Sequence, residues 1–189
     1  MLIYIHGFNS SPASFKARAL QRRLEAAGKG NSFSCPALPD RPAHAIALLE
    51  GALQGTRPQL VTLVGSSLGG YYATCLAEKF GVKAVLVNPA VRPYEGLRAY
   101  LGPQKNLYSG DAYEFTQQHL DELRALDVAR PTRMERYYLM VTTGDEVLDY
   151  RIAVEKYAGA RQLVVQGSDH GFPEFADYLD SVLDFAVMY

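Results

Sequence analysis

The sequence predicts a three-layer α/β/α sandwich built on a six-stranded, mostly parallel sheet. Three observations carry that expectation. Short apolar runs alternate with amphipathic stretches in β-α-β-α order along the chain, the pattern of parallel strands joined by crossover helices. The run Leu60-Val61-Thr62-Leu63-Val64 leads through Gly65-Ser66-Ser67-Leu68-Gly69 into a helical stretch, Tyr71 to Phe80. His6, Ser67 and Asn88 all fall just past the carboxyl ends of predicted strands, where sheets of this kind place their sites.

Taken in order, Leu2 to Ile5 is the first strand, and it ends in His6-Gly7-Phe8-Asn9. Ser10 or Ser11 ahead of Pro12 fits a helix N-cap with a proline in the first turn. Phe15, Ala19, Leu20, Leu24 and Ala27 form a helical stripe, and Gly28 is its stop. Phe33 to Leu38 reads as a second strand, ended by Pro36 and Pro39. A second helix covers Pro42 to Leu53, with Ile46, Leu49 and Leu53 on one face. The helix after Ser67 carries Leu68, Tyr72, Leu76 and Phe80 at i, i+4 spacing. Lys83 to Asn88, Tyr137 to Thr142 and Gln162 to Gln166 are the remaining strands; Tyr150 to Tyr157 and Glu174 to Met188 are the remaining helices.

Residues 89–136 exceed what a bare crossover requires. They are broken by prolines and glycines and rich in tyrosine, so they read as a small cap of short helices over the site, with Asp111 to Leu126 its best helix. The expected organisation is one domain, 1–189, with 89–136 as a cap-like insert. The competing reading of the insert is a decorated crossover with no substrate role.

A formal net charge of −1 and no basic block leave nothing to steer nucleic acid or a membrane surface. Met1 to Gly7 has no positive flank and too short an apolar run for a signal peptide, and no apolar run approaches a membrane span, so the cytoplasm is the expected compartment. Cys35 and Cys75 read as reduced, buried small hydrophobes, a disulfide between them being the alternative.

The chemistry centres on Ser67. Gly65 and Gly69 lack the Cβ atoms that would clash where strand and helix close on each other, and the following helix turns its N-terminal amides toward the serine hydroxyl. Ser66 cannot take the role, because Val64 and Leu68 stand where it would need glycines. The competing reading is a Gly/Ser-rich turn that binds phosphate. A serine nucleophile needs a base, and the base needs an anion to fix its tautomer. His170, in Gly167-Ser168-Asp169-His170-Gly171-Phe172 past the last strand, is the expected base. His6 is expected to brace the loop after the first strand, and His44 and His119 read as solvated side chains. For the acid, Thr143-Gly144-Asp145-Glu146-Val147-Leu148-Asp149 offers Asp145 directly at a strand end, with Asp149 the alternative or else the cap of the next helix; Glu146 should point away. The order Ser67, Asp145, His170 is that of a hydrolase elbow enzyme. Donors for a developing alkoxide would be the backbone N–H groups of Leu68 and Phe8. Histidine and cysteine spacings suit no metal, and no glycine-rich cofactor fingerprint follows a strand, so no metal and no cofactor is expected.

These features resemble the α/β-hydrolase superfamily over the whole chain and, more closely, the YqiA-like esterases, short bacterial α/β-hydrolases. The carrying segments are Ile3-Tyr4-Ile5-His6-Gly7-Phe8-Asn9-Ser10-Ser11-Pro12, Gly65-Ser66-Ser67-Leu68-Gly69-Gly70, Gly144-Asp145-Glu146-Val147-Leu148-Asp149-Tyr150, Ser168-Asp169-His170-Gly171-Phe172 and, most specific to that family, Val87-Asn88-Pro89-Ala90-Val91-Arg92-Pro93-Tyr94. The resemblance implies hydrolysis of short acyl esters, with thioesters as an alternative, and carries the triad roles to Ser67, Asp145 and His170. The superfamily's first two strands have no counterpart before Leu2, which leaves six strands in the expected order 2-1-3-4-5-6. The expected partner is a small-molecule ester or thioester. Arg92, Arg98 and Lys105 are candidates for a CoA phosphate or else ordinary surface, and Asn88, Arg92 and Tyr94 either line the pocket or brace it. A non-catalytic hydrolase-like binding protein is the reading from a different class.

Overall fold

The computed structural model describes residues 1–186. In chain order they form β1 (Leu2–Ile5), α1 (Phe15–Ala26), β2 (Phe33–Ser34), α2 (Pro42–Leu53), β3 (Thr62–Ser66), α3 (Leu68–Phe80) and β4 (Lys83–Val87). An insert follows, with α4 (Pro93–Gly96), β5 (Gly102–Lys105), β6 (Ala112–Phe115) and α5 (Gln117–Ala125). The chain closes with β7 (Tyr137–Thr142), α6 (Tyr150–Lys156), β8 (Arg161–Val165) and α7 (Leu179–Ala186).

The central strands are continuous apolar runs because both faces of the sheet are covered. The order is β2-β1-β3-β4-β7-β8, and every pairing is parallel. Alternation along each strand divides the core. Ile3, Ile5, Leu63, Leu86 and Leu139 pack on α2, α3 and α6, with Leu49, Tyr72, Leu76 and Ala153. Leu2, Tyr4, Val64, Val85 and Met140 pack on α1 and α7, with Leu20, Leu24 and Val182. Each fully buried leucine contributes about 2 kcal/mol of transfer free energy. Among the described residues no helix is long and apolar enough to cross a membrane.

Several expected boundaries move for local reasons. Only Phe33 and Ser34 pair with β1, since Pro36 has no N–H to continue the ladder. The N-cap position of α1 is Ser14 rather than Ser10 or Ser11, without a side-chain cap bond, and the buried stripe is Ala17, Leu20 and Leu24, with Phe15 exposed. Its end is as read: Gly28 is left-handed, Gly28 N–H donates to Glu25 O and Lys29 N–H to Leu24 O, a Schellman stop. The last helical region is a 3₁₀ segment, Pro173–Tyr178, followed by α7, and the expected extension to Met188 lies outside the described residues.

The insert corrects the reading of an all-helical cap. Ala112 to Phe115, expected to open a helix, is instead a strand antiparallel to Gly102 to Lys105. Its exposure alternates and buries Phe115, which is period-two patterning in a stretch too short to distinguish from a helical turn by sequence. Helix α5 starts only at Gln117, fixed by a capping box in which the Thr116 side chain receives the His119 amide and His119 Nδ1 receives the Thr116 amide. The hairpin grips the loop after β1: Tyr113 Oη donates to Asn9 Oδ1 at 2.6 Å and Leu107 N–H to Asn9 O at 3.0 Å. Phe8 sits edge-on against Tyr100 and Phe115, with centroids 5.7 and 5.4 Å away.

Candidate active site

The parallel sheet brings the ends of β1, β3, β4, β7 and β8 to one edge. Ser67 stands at the corner between β3 and α3 with φ 54° and ψ −120°, a conformation that costs a non-glycine residue about 1–3 kcal/mol. The surroundings enforce it. A Cβ on Gly65 would lie 2.2 Å from Gly69 O, and one on Gly69 would lie 1.9 Å from Ile5 O, so helix and strand close as they do only because both are bare. Ser67 N–H donates to Val87 O at 3.0 Å, and Ser67 O accepts from Gly70 N–H and Ala90 N–H at 2.9 and 3.1 Å.

His170 Nε2 lies 3.1 Å from Ser67 Oγ, and His170 Nδ1 lies 2.8 Å from Asp145 Oδ2. A carboxylate cannot donate, so Nδ1 carries the proton and Nε2 is left to accept from the serine hydroxyl. The Asp145 side chain is 2% exposed. Burial alone would raise its pKa, but the imidazole and the Leu148 and Val147 amides outweigh it and hold the carboxyl below its ordinary value. Both amides reach Oδ1, at 2.8 and 2.9 Å. Asp149 is occupied elsewhere, capping α6 through Arg151 N–H.

The loop that carries His170 is tied down from three sides. Asn88 Nδ2 donates to His170 O at 3.2 Å and to Thr142 Oγ1 at 3.1 Å, Thr142 Oγ1 donates to Asp169 O at 2.9 Å, and Asn88 Oδ1 accepts from Thr142 N–H at 2.9 Å. Glu146, expected to point away, accepts the His170 N–H at 3.0 Å. Lys16 Nζ donates to Gly171 O. Phe172, fully buried against Phe175 and Tyr178, anchors the loop's far end. Asn88 is therefore a brace, and so is Tyr94, whose hydroxyl donates to Asp127 at 3.2 Å. Arg92 pairs with Glu95 at 3.4 Å.

A family model described as an uncharacterised protein family, UPF0227, matches residues 1–187. The chain belongs to UPF0227. That membership agrees with the YqiA-like character of its motifs. The UPF0227 protein of Serratia proteamaculans (strain 568) is 20% identical over 191 residues, spanning 100% of this chain and 99% of that protein. Among solved structures, alpha/beta hydrolase domain-containing protein 10 from mouse superposes with a TM-score of 0.73 at 15% identity, covering 99% of this chain and 89% of that one. Est1E from Butyrivibrio proteoclasticus gives 0.66 at 14% identity, with 100% and 88% covered. The fold of this UPF0227 protein is the α/β-hydrolase fold.

Of the two expected oxyanion donors, Leu68 follows Ser67 as the first residue of α3, and Phe8 lines the cavity that Ser67 lines. Neither the Phe8 nor the Leu68 N–H donates to a protein acceptor among the described residues. Gly7 brings the β1 loop against that turn: a Cβ there would be 3.2 Å from Ser67 Cβ. His6 is buried and braces this loop, with Nδ1 donating to Gly7 O at 3.1 Å and Nε2 accepting from Leu38 N–H at 3.2 Å. Burial holds its pKa below the ordinary value, which suits a neutral brace. His44 is exposed as expected, but His119 is not: it is 3% exposed, with its ring against Phe115 and its Nδ1 used in the helix cap. A cavity of about 270 Å³ opens on Ser67 and His170, and one of about 350 Å³ lies across Phe8 and Leu68, walled by Tyr72 and Tyr113. Thr142, Glu146 and Lys16 are the site residues that sequence reasoning passed over. Thr142 alone left a signal, as the one polar residue ending an apolar strand together with its partner Asn88.

Proposed function

We propose that this UPF0227 protein is a serine hydrolase that cleaves carboxylic esters with short acyl groups through an acyl-enzyme intermediate. The observation that carries the reading is the continuous relay Asp145–His170–Ser67, at 2.8 and 3.1 Å. In this reading Ser67 Oγ attacks the ester carbonyl while His170 Nε2 takes its proton. The carbonyl oxygen becomes an alkoxide held by the Phe8 and Leu68 N–H groups, with the N-terminus of α3 behind it. Collapse expels the alcohol, which receives the proton from His170. Water then enters, gives a proton to His170 and attacks the acyl-serine; release of the acid returns the proton to Ser67. Asp145 stays ionised throughout and stabilises the imidazolium.

Acyl thioesters are the alternative substrate for the same relay. Release of p-nitrophenol from p-nitrophenyl acetate and butyrate tests the reading, together with a fluorophosphonate probe. Labelling at Ser67 that requires His170 is expected, and absence of both turnover and labelling would reject an enzyme in favour of a binding protein. Matched oxygen and thio esters, compared by kcat/KM, decide the substrate class.

Asn88→Ala removes the side chain that holds both the His170 loop and the end of β7. It is expected to lower stability by about 2 kcal/mol in urea unfolding, since two buried partners lose their hydrogen bonds. Turnover should fall about 10²-fold with KM little changed, the loss expected when a base is displaced by about 1 Å.

A further inference from the structure

Two aromatic rings stand half in water on the cavity that opens on Ser67 and His170. Phe15 opens α1 and is 53% exposed, Tyr108 lies between β5 and β6 and is 52% exposed, and both line that cavity. Neither serves the core. Phe15 lies off the stripe of Ala17, Leu20 and Leu24 that α1 buries. Nor is Tyr108 exposed because its turn is slack. Asn106 Nδ2 donates to Ser10 O at 3.0 Å, and Asn106 Oδ1 accepts the Tyr108 and Ser109 N–H groups at 2.9 and 3.0 Å. Leu107 N–H donates to Asn9 O at 3.0 Å, so the backbone that carries the ring is fastened to the loop after β1. Phe15, for its part, precedes Lys16, whose ammonium holds the Gly171 carbonyl next to His170. Two segments distant in sequence thus each fix an aromatic ring on the cavity of the relay. Apolar surface held in water there is surface that a bound group would remove from water.

The chemistry decides which half of an ester meets these rings. In the proposed reaction His170 delivers a proton to the departing alcohol, so the alcohol oxygen must come within hydrogen-bonding reach of Nε2. The substituent on that oxygen therefore starts in the cavity that His170 lines, and Phe15 and Tyr108 are the aromatic walls at its open side. The cavity, about 270 Å³, exceeds the roughly 150 Å³ in which a protein interior holds benzene. We infer that Phe15 and Tyr108 receive the alcohol half of the substrate, and that the preferred ester carries there an apolar ring of about benzyl size. The inference rests on Ser67 and His170 acting as in the proposed hydrolysis. Through Tyr108 it gives the insert a part in substrate selection, which a mere decorated crossover would lack.

Benzyl butyrate against methyl butyrate reads the alcohol side, and methyl 4-phenylbutyrate against methyl butyrate reads the acyl side. Benzyl alcohol and methanol are similar in acidity, so the first ratio of kcat/KM reports binding rather than ease of departure. The wild type should favour benzyl butyrate about 10- to 100-fold, the fold-change that corresponds to taking one ring out of water. Phe15→Ala and Tyr108→Ala should each lower that ratio about 3- to 10-fold, and Tyr108→Phe, which keeps the ring, should hold it. Leu60→Ala is the control: Leu60 precedes β3, is 62% exposed and does not line the cavity, so the ratio should stay at its wild-type value. All three positions are at least half exposed, so none of these substitutions opens the core. Equal kcat/KM for benzyl and methyl butyrate in the wild type would overturn the inference and leave the hydrolase reading intact. So would alanine variants that slow both esters by one factor. A preference for methyl 4-phenylbutyrate that depends on Phe15 and Tyr108, without one for benzyl butyrate, would put the acyl half at the rings and overturn the inference as well. Failure to hydrolyse any of the three esters would sink the hydrolase reading, and the inference with it.

Discussion

Ser67→Ala is expected to cut turnover of a short acyl ester about 10⁶-fold while leaving KM and thermal stability nearly unchanged. The change deletes one oxygen from a cavity wall, and alanine meets the same backbone strain at φ 54° as serine does. What disappears is the hydroxyl that His170 Nε2 contacts, 3.1 Å away. Residual hydrolysis would come from substrate binding and the proposed amide donors of Phe8 and Leu68, independently of His170. Because the three side chains act as one relay, adding His170→Ala to Ser67→Ala should cost almost nothing more. Asp145→Asn should cost about 10⁴-fold, since an amide can turn its NH₂ toward Nδ1 and stabilise the wrong tautomer. The Asp145 side chain is 2% exposed and accepts two amides, so the variant also exposes a stability effect with a defined sign. A carboxyl held below its ordinary pKa stabilises the fold above about pH 4 and loses that contribution as pH falls through its lowered value, so the wild type should exceed the variant at neutral pH and approach it in acid. Steady-state rates with p-nitrophenyl butyrate decide the matter. A Ser67→Ala enzyme within tenfold of wild type would place the chemistry elsewhere.

Much of this arrangement is legible in the residues because it is written in short-range signals. Apolar runs bounded by Gly and Pro locate the sheet, and all six strands fall where those runs are, in the order 2-1-3-4-5-6. Ser67, Asp145 and His170 each follow such a run directly, so their convergence follows from parallel topology alone. Residues whose role depends on contacts between distant segments are not legible in this way. Glu146 looks like a solvated carboxylate beside the acid, and its bond to the His170 amide exists only because the β7 and β8 loops are neighbours. His119 looks like a surface histidine on a polar helix, and it is buried because Phe115 and Tyr113 belong to a hairpin rather than to that helix. Lys16 sits on a helix with exposed basic neighbours, and nothing local distinguishes it from Arg18 or Arg22. The insert was hardest to read for the same reason: two four-residue strands carry too few residues for a period to declare itself.

Gly69→Ala should be the most damaging small substitution in the chain. Its new Cβ would stand 1.9 Å from Ile5 O, 2.6 Å from Ile5 C and 2.8 Å from His6 O, all backbone atoms at the end of a strand that is paired with β3 through Ile5. No side chain can rotate away to make room, so α3 must lift from the sheet or β1 must leave its register. An overpacking clash against backbone costs about 3–5 kcal/mol, which for a chain of this size lowers Tm by about 10 °C. Gly51→Ala is the matched control: it lies inside α2, is exposed and has nothing within 4 Å of the added Cβ. Helix propensity alone should then raise stability by about 1 kcal/mol. Thermal unfolding of the two variants therefore moves in opposite directions, although the chemical change is identical. The functional consequence follows from the same contact. The Ile5–Gly69 approach seats the start of α3 against the end of β1, which leads into the Phe8 loop, so any Gly69→Ala protein that does fold should lose turnover far beyond its loss of stability. A Gly69→Ala protein as stable and as active as Gly51→Ala would mean that α3 does not rest on β1, and with that the two amides would have no reason to share a target.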